Sequence, residues 1–340
     1  MEHQLLAAEV PFKSGDVIKE TFTLQHQLGS GSYGVIYSAI YSSGPNQKHV
    51  AIKLEKNLPQ FTLQANEVLV MKTMENSSHF AKFYQCGTHE GYKFVVMELL
   101  GPSLLQLANR QYPFKFSLSQ LLKFGIQAIE SLCDLHSAGF VHRDIKPDNF
   151  MIGNSQKTGG IIYLIDFGLC KRLIKQNGVI IKPQQHSSFR GTVRYASPNA
   201  HRHLELCRSD DLISLLYVLV ELYMGKLPWS NITDPDIVLS LKLEYLGGQL
   251  VENMPPEFKQ FDDHIFSLNY EDEPDYLYLI SFRDLAAKIG SDKETAGLLE
   301  IEKIIVVAQL KRQEWIILIV IVVELRIGQC IGFEYCLMHQ

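Results

Sequence analysis

The sequence lacks the marks of several large protein classes. Its six cysteines include no Cys-x-x-Cys pair, and this usage favours a reducing compartment. The formal net charge of −5 provides no broad cationic face, so we do not expect nucleic acid as a main partner. The amino terminus has only a short apolar patch at residues 5–8, behind an acidic residue, and predicts no signal peptide. The expected location is the cytoplasm or the nucleus.

Apolar runs long enough to cross a membrane are also missing. Residues 315–323 are nine consecutive apolar residues, whereas a spanning helix needs about 20. Lys311, Arg312 and Glu314 separate this run from the shorter one at 304–308. We therefore expect no membrane span. Two interpretations of residues 291–340 stay open: a docked tail, or a stretch outside the natural reading frame.

The distribution of apolar residues predicts a strand-rich part followed by a helix-rich part. Apolar residues at 46% and charged residues at 20% are ordinary for a globular protein. Short alternating runs predict three strands over 22–54 and two more at 80–86 and 92–98, with a helix over 62–74. A long helix follows the capping box of Ser117 and Gln120, and further helices are predicted at 210–224, 255–267 and 274–290. The predicted fold class is α+β, with a small β-rich lobe and a larger helical lobe.

A glycine-rich segment lies between the first two predicted strands. Gly29, Gly31 and Gly34 form a G-x-G-x-x-G pattern, which occurs in hairpin turns, in dinucleotide-binding folds and in phosphate-covering flaps. Glu55 gives the dinucleotide interpretation some support, because an acid about 20 residues on can bind a ribose. That fold needs a helix directly after the glycines, but residues 35–41 are rich in β-branched and aromatic residues. The pattern therefore favours a flap that covers nucleotide phosphates.

A lysine on a predicted strand and a glutamate on the following predicted helix have opposite charges that can pair. Lys53 follows Ala51 at strand spacing, so both side chains face the flap and Lys53 can reach phosphate oxygens. Glu67 lies among apolar neighbours in the predicted helix, where a carboxylate needs a partner. We expect an ion pair between Lys53 and Glu67.

The most specific motif is the segment His-Arg-Asp-Ile-Lys-Pro-Asp-Asn at residues 142–149. In phosphoryl transfer, Asp144 would accept the proton of the attacking hydroxyl and Lys146 would stabilise the transferring group. Asn149 would hold Mg²⁺. Asp166, which begins Asp-Phe-Gly behind a predicted strand, would be the second metal ligand.

An adenine ring needs an apolar slot and a backbone edge. A hinge at residues 98–102 would offer backbone groups at Glu98 and Leu100. The candidate apolar residues lie next to the motifs: Leu28, Ile36, Ala51, Met97, Met151 and Ile165.

Over about residues 22–290 the chain resembles the protein kinase superfamily. The segments 97–104, 142–150, 190–197 and 208–212 are similar to the casein kinase 1 group, and 189–201 and 271–276 look most like its tau-tubulin kinase branch. The resemblance implies a kinase domain with a small lobe at 22–97, a hinge at 98–102 and a large lobe at 103–290. Residues 1–21 would be an extension and 291–340 a tail.

The resemblance also implies a chemistry. ATP with Mg²⁺ would phosphorylate serine or threonine of protein substrates, without activation-loop phosphorylation. Asp211 would hold the catalytic-loop backbone and Thr192 would contact Asp144. Arg194, helped by Arg190, would bind acidic or already phosphorylated substrates. We expect a monomer, and the alternative is a catalytically silent kinase-fold binding or scaffold protein.

Two departures from the family pattern qualify the resemblance. Ser-Pro-Asn at 197–199 replaces the usual Ala-Pro-Glu. Residues 232–245 carry one lysine, Lys242, where several are normal, and this weakens the expectation of a full phosphate-binding pocket.

Overall fold

A computed structural model describes residues 10–280, except 32–33, 44–45, 58–62, 111–113, 177–178 and 183–187. The segment 291–340 and most of the helix predicted at 274–290 lie outside the described residues. Within the described part, no helix has the length and apolar character to span a bilayer.

The small lobe is an antiparallel sheet in the order β1-β2-β3-β4-β6-β5. The three strands predicted over 22–54 form β2, β3 and β4, and each of them is longer than predicted. β6 has the predicted bounds, whereas β5 begins three residues later than predicted. The strands are β1 Val17–Ile18, β2 Phe22–Gly31, β3 Gly34–Ser43, β4 Asn46–Lys56, β5 Phe83–His89 and β6 Tyr92–Glu98.

Part of the predicted amino-terminal extension packs onto the small lobe. β1 pairs antiparallel with β2, and Phe12 and Ile18 are buried in the core of the sheet. The hydroxyl of Tyr37 in β3 donates to the carbonyl of Phe12 at 2.6 Å. Residues 10–21 are therefore attached to the lobe by pairing, apolar packing and a buried hydrogen bond.

The large lobe is built around two long helices. α3 begins at the predicted capping box, where Ser117 and Gln120 bond each other's backbone. α5 is buried nearly all round and ends at Gly225, whose φ of 87° suits glycine. The α-helices of the described residues are α1 Leu63–Thr73, α2 Leu104–Asn109, α3 Leu118–Ser137, α4 Pro198–His201, α5 Arg208–Met224, α6 Pro235–Glu244, α7 Pro256–Ser267 and α8 Tyr276–Leu279.

Three short strand pairs shape the loops that face the small lobe. β8 Phe150–Ile152 pairs with β9 Ile162–Leu164, and β7 Phe140–Val141 pairs with β10 Lys171–Arg172. A small hairpin joins β11 Lys175–Gln176 to β12 Val179–Ile180. The first two of these pairs flank the segments 142–149 and 165–170 and bring them together. The architecture is the predicted bilobal α+β fold.

Candidate active site

The glycine-rich segment lies where the paired strands β2 and β3 meet. Gly29 pairs with Ile36, and Gly31 pairs with Gly34. Gly34 has φ 147°, and a Cβ there would meet the carbonyl oxygen of Leu54 at 2.2 Å. Only glycine can occupy this position. The segment therefore joins two paired antiparallel strands and is not the start of a helix, in agreement with the strand-forming residues that follow it.

Lys53 and Glu67 form a buried ion pair. Nζ of Lys53 on β4 lies 2.7 Å from Oε2 of Glu67 on α1, and the two side chains are only 12% and 5% exposed. Burial acts to lower the pKa of Lys53, but the carboxylates of Glu67 and Asp166 raise it above its usual value. Lys53 is thus held as an ammonium ion beside Asp166.

A buried carboxylate holds the backbone of residues 142–149, which we call the catalytic loop. Asp211 on α5 accepts the backbone N–H groups of His142 and Arg143 at 2.7 and 2.8 Å. His136 contacts the same carboxylate at 2.8 Å through Nε2, and its Nδ1 lies 2.6 Å from the Tyr276 hydroxyl. Burial acts to raise the pKa of Asp211, but these hydrogen bonds bring it below its usual value. The ionised carboxylate fixes the loop backbone.

Asp144 is surrounded by the side chains predicted to work with it. Lys146 donates to its Oδ2 at 2.6 Å, and Thr192 donates to its Oδ1 at 2.8 Å. Nδ2 of Asn149 donates to the main-chain oxygen of Asp144 at 2.8 Å. The four groups form one connected cluster. A carboxylate held in this way can accept a proton from an incoming hydroxyl beside a fixed ammonium ion.

Gly191 lies in the segment that also carries Thr192, which we call the activation segment. The glycine lets this segment approach the catalytic loop. Gly191 has φ 98°, and a Cβ there would lie 2.7 Å from the carbonyl oxygen of Arg143. A side chain would push Thr192 away from Asp144.

Asp166 lies at a strained turn that faces Lys53. Its φ of 68° is in the left-handed region, and it precedes the 3₁₀ turn Phe167–Leu169. The aromatic ring of Phe167 stacks on Phe80 at 5.5 Å and meets the edge of His142 at 5.8 Å. The buried ring fixes the turn that presents the Asp166 carboxylate.

The residues fit a magnesium–nucleotide complex. Within the part of the chain that the structure describes, both hydrogen bonds of the Asn149 side chain use Nδ2, so its amide oxygen can bind a metal. An amide oxygen and the carboxylate of Asp166 are the oxygen ligands that Mg²⁺ prefers. The ammonium of Lys53 next to Asp166 adds a cation for phosphate oxygens.

The predicted adenine slot falls at the join of the lobes. Ala51 pairs with Met97 across β4 and β6, and Met151 bridges to Ser103 behind the hinge. The N–H of Gly101 donates to the carbonyl of Ile152 at 2.8 Å and fixes the hinge to the large lobe. The backbone N–H of Leu100 has no backbone partner among the described residues, so it can meet an adenine edge.

The other predicted slot residues lie around this join. Leu28 on β2 is 51% exposed. Ile36 pairs with Lys53 across β3 and β4, and Ile165 precedes Asp166. Glu98 ends β6, and its side chain accepts the backbone N–H of Lys82 at 3.2 Å.

The predicted anion-binding arginines have different surroundings. Arg190 is exposed, and its charge contributes to a lowered pKa of Arg143, for which burial is the main cause. Arg194 donates to Glu221 at 3.3 Å and to the carbonyl of Ser230 at 2.9 Å, although its side chain is 45% exposed. Arg194 therefore already has an internal partner, which the sequence did not suggest.

Lys242 does not face solvent. It is 1% exposed and donates to the carbonyls of Val193 and Ala196, both at 2.7 Å. Its Nζ also lies over the rings of Tyr217 and Trp229. Lys242 thus supports the loop around Arg194 from inside and adds nothing to an exposed anion pocket.

Glu205 is a further site residue that the sequence analysis missed. Its carboxylate is 6% exposed and lies 2.7 Å from Lys171 and 3.9 Å from Arg143. Arg143 also donates through Nε to the carbonyl of Leu169 at 2.7 Å. One buried carboxylate therefore joins the catalytic loop to β10. No local pattern marks Glu205, because its partners are distant in sequence.

Comparison with known proteins gives the same assignment as the geometry. The family model described as "Protein kinase domain" matches residues 22–273. A protein of Dictyostelium discoideum described as a probable serine/threonine-protein kinase is 40% identical over 287 residues, which are 84% of this chain and 58% of that protein. The chain thus spans less than two thirds of that relative. Because the family match covers most of the chain, the chain belongs to the protein kinase family.

Proposed function

We propose that this protein is a serine/threonine protein kinase that transfers the γ-phosphate of ATP to protein hydroxyls with Mg²⁺. The observation that carries the proposal is the cluster around Asp144, in which Lys146 and Thr192 both bond the carboxylate. A lysine two residues after the proton-accepting aspartate supports a serine or threonine acceptor. The serine/threonine kinase description of the Dictyostelium relative agrees with this.

Each protein group has a definite task in the proposed reaction. Asp144 accepts the proton of the attacking hydroxyl, and Lys146 stabilises charge on the group in transfer. Lys53, kept in place by Glu67, binds phosphate oxygens. Asp166 and Asn149 would hold Mg²⁺, which supplies charge neutralisation at the phosphates when bound. The intact set of residues disfavours the silent-scaffold alternative.

The proposal extends to a finer group. The motifs at 97–104, 189–201 and 271–276 support membership of the casein kinase 1 group, close to its tau-tubulin kinase branch. Acidic or primed proteins are the proposed substrates, and Arg190 and Arg194 are the residues proposed to bind them. We further propose that the protein is a monomer and is located in the cytoplasm or the nucleus.

A peptide array tests the proposed function. Full-length protein with ATP and Mg²⁺ should phosphorylate peptides that contain serine or threonine and leave tyrosine-only peptides unlabelled. Lys53→Met should remove most of the labelling, because the phosphate-binding cation is lost. Labelling that is equal for wild type and Lys53→Met would contradict the proposal.

A further inference from the structure

One side chain of α1 reaches the turn that carries Asp166. Nδ2 of Asn66 donates to the carbonyl of Cys170 at 2.7 Å and to the carbonyl of Phe167 at 3.2 Å. Asn66 lies directly before Glu67, the partner of Lys53. A single turn of α1 therefore contacts both the phosphate-binding lysine and the metal-holding segment.

The turn needs such contacts because its backbone is strained. Asp166 has φ 68° and ψ 70°, a conformation that a non-glycine residue keeps only when its surroundings hold it. From the large lobe, His142 contacts the carbonyl of Ile165 at 3.0 Å, and Arg143 donates to that of Leu169. The carbonyl of Phe167 also accepts the backbone N–H of Cys170 at 3.1 Å, so Asn66 of α1 adds a second hydrogen bond there and a side-chain hydrogen bond to the carbonyl of Cys170.

Asparagine is an unfavourable residue for the interior of a helix, so helix formation does not explain its presence at position 66. An amide with two N–H donors suits the two carbonyls that frame the 3₁₀ turn. The other side-chain hydrogen bonds described for this turn come from His142 and Arg143, whereas Asn66 belongs to the helix that positions Lys53.

We propose that Asn66 is a positioning residue that couples α1 to the Asp166 turn, so that the Lys53–Glu67 pair and the metal-holding carboxylate come into place together. This inference rests on the proposed function, because it takes Asp166 as the Mg²⁺ ligand. Loss of the amide should release the turn without changing Asp166 itself.

Hydrogen exchange on the full-length protein without nucleotide tests the coupling. Asn66→Ala removes both donors and improves helix propensity, so a weaker α1 cannot account for its effect. Asn66→Asp keeps the shape but turns an acceptor toward two carbonyls. In both variants the amides of residues 167–170 should exchange about tenfold faster, as expected for the loss of one or two hydrogen bonds. Thr73→Val is the control, because among the described residues the Thr73 hydroxyl bonds only to the carbonyl of Leu69 within α1.

Nucleotide binding provides the second measurement. The ratio of ATP affinities with and without Mg²⁺ should fall about tenfold in both variants, while the affinity without Mg²⁺ stays unchanged. Unchanged exchange and an unchanged ratio in folded variants would overturn the coupling even if the wild type is an active kinase. Faster exchange in both variants supports the coupling even if the wild type transfers no phosphate, and that inactivity would overturn the proposed function alone.

Discussion

The hydroxyl of Thr192 donates a hydrogen bond to Oδ1 of Asp144 at 2.8 Å. Thr192 belongs to the activation segment and Asp144 to the catalytic loop. This bond therefore orients the proposed base, Asp144, from a second segment of the chain. Nζ of Lys146 donates a hydrogen bond to the other carboxylate oxygen, Oδ2, at 2.6 Å. The base is thus held by two segments at once.

Removal of the Thr192 hydroxyl should slow catalysis. We expect Thr192→Val, which keeps the shape, to lower kcat roughly tenfold and to leave KM for ATP unchanged, because one hydrogen bond to the base is lost. Steady-state kinetics with a serine peptide measures both constants. Thr192→Ser, which keeps the hydroxyl, should retain most activity, and equal losses in the two variants would contradict the assigned role.

Loss of the Glu67 carboxylate should affect nucleotide use. Glu67→Gln leaves the buried Lys53 ammonium without its anionic partner, so that it can turn toward Asp166. We expect KM for ATP to rise and kcat to fall, each roughly tenfold. Glu75→Gln, at an exposed residue just after α1, is the matched control. A Glu67→Gln variant with wild-type KM and kcat would show that the pair does not position Lys53.

Lys242 should make stability depend on pH. Burial lowers its pKa to about 7, whereas the unfolded value is about 10.4. At pH values between these two pKa values, the unfolded chain binds more protons than the folded one. The contribution of Lys242 to the free energy of unfolding therefore rises with pH. His201 and the rings of Tyr217 and Trp229 face the amine, and burial lowers the pKa of His201 to about 4, outside this range.

Urea unfolding at pH 7, 8 and 9 measures this effect. The free energy of unfolding of the wild type relative to Lys242→Met should rise by up to about 1.4 kcal/mol per pH unit. A difference that stays constant over this range would mean that the amine remains charged in the folded protein.

Arg194 should matter most for primed substrates. Its guanidinium is 45% exposed but already bonded to Glu221. We expect Arg194→Ala to raise KM for a phosphorylated peptide by roughly tenfold, more than for the unprimed peptide, because a charged hydrogen bond is lost. Arg202→Ala, at an exposed arginine beyond α4, serves as the control. Equal changes for the two peptides would remove the substrate-recognition role.

Much of the fold could be predicted because its elements have strong local signals. The strand predicted at 92–98 has the observed bounds of β6, and the helix predicted at 255–267 matches α7 within one residue. β5 begins later than predicted because the apolar residues before it serve another purpose. Phe80 bridges to Leu164 and packs between the lobes, and an apolar run alone cannot distinguish these uses.

The helices α2 and α6 were missed for different reasons. α2 has six residues, too few for a clear period. α6 has a local start signal, since Asp234 caps it and Pro235 follows in the first turn. That signal could have been used.

The residues of the candidate site could be proposed from the sequence because most of them lie in contiguous motifs. The residues that support them could not, because their partners are far apart in the chain. Asn66 bonds residues more than 100 positions away, and Lys242 bonds carbonyls 46 and 49 positions away. Carbonyl acceptors exist at every position, so no pattern of side chains marks such contacts.

Transfer of labelled phosphate from ATP to casein by the full-length protein tests the central claim most directly. The wild type should label serine and threonine in the presence of Mg²⁺. Asp144→Asn, which keeps the shape but cannot accept the proton, should label at least about a hundredfold more slowly. Equal rates for the two proteins, or no transfer by the wild type, would contradict the account.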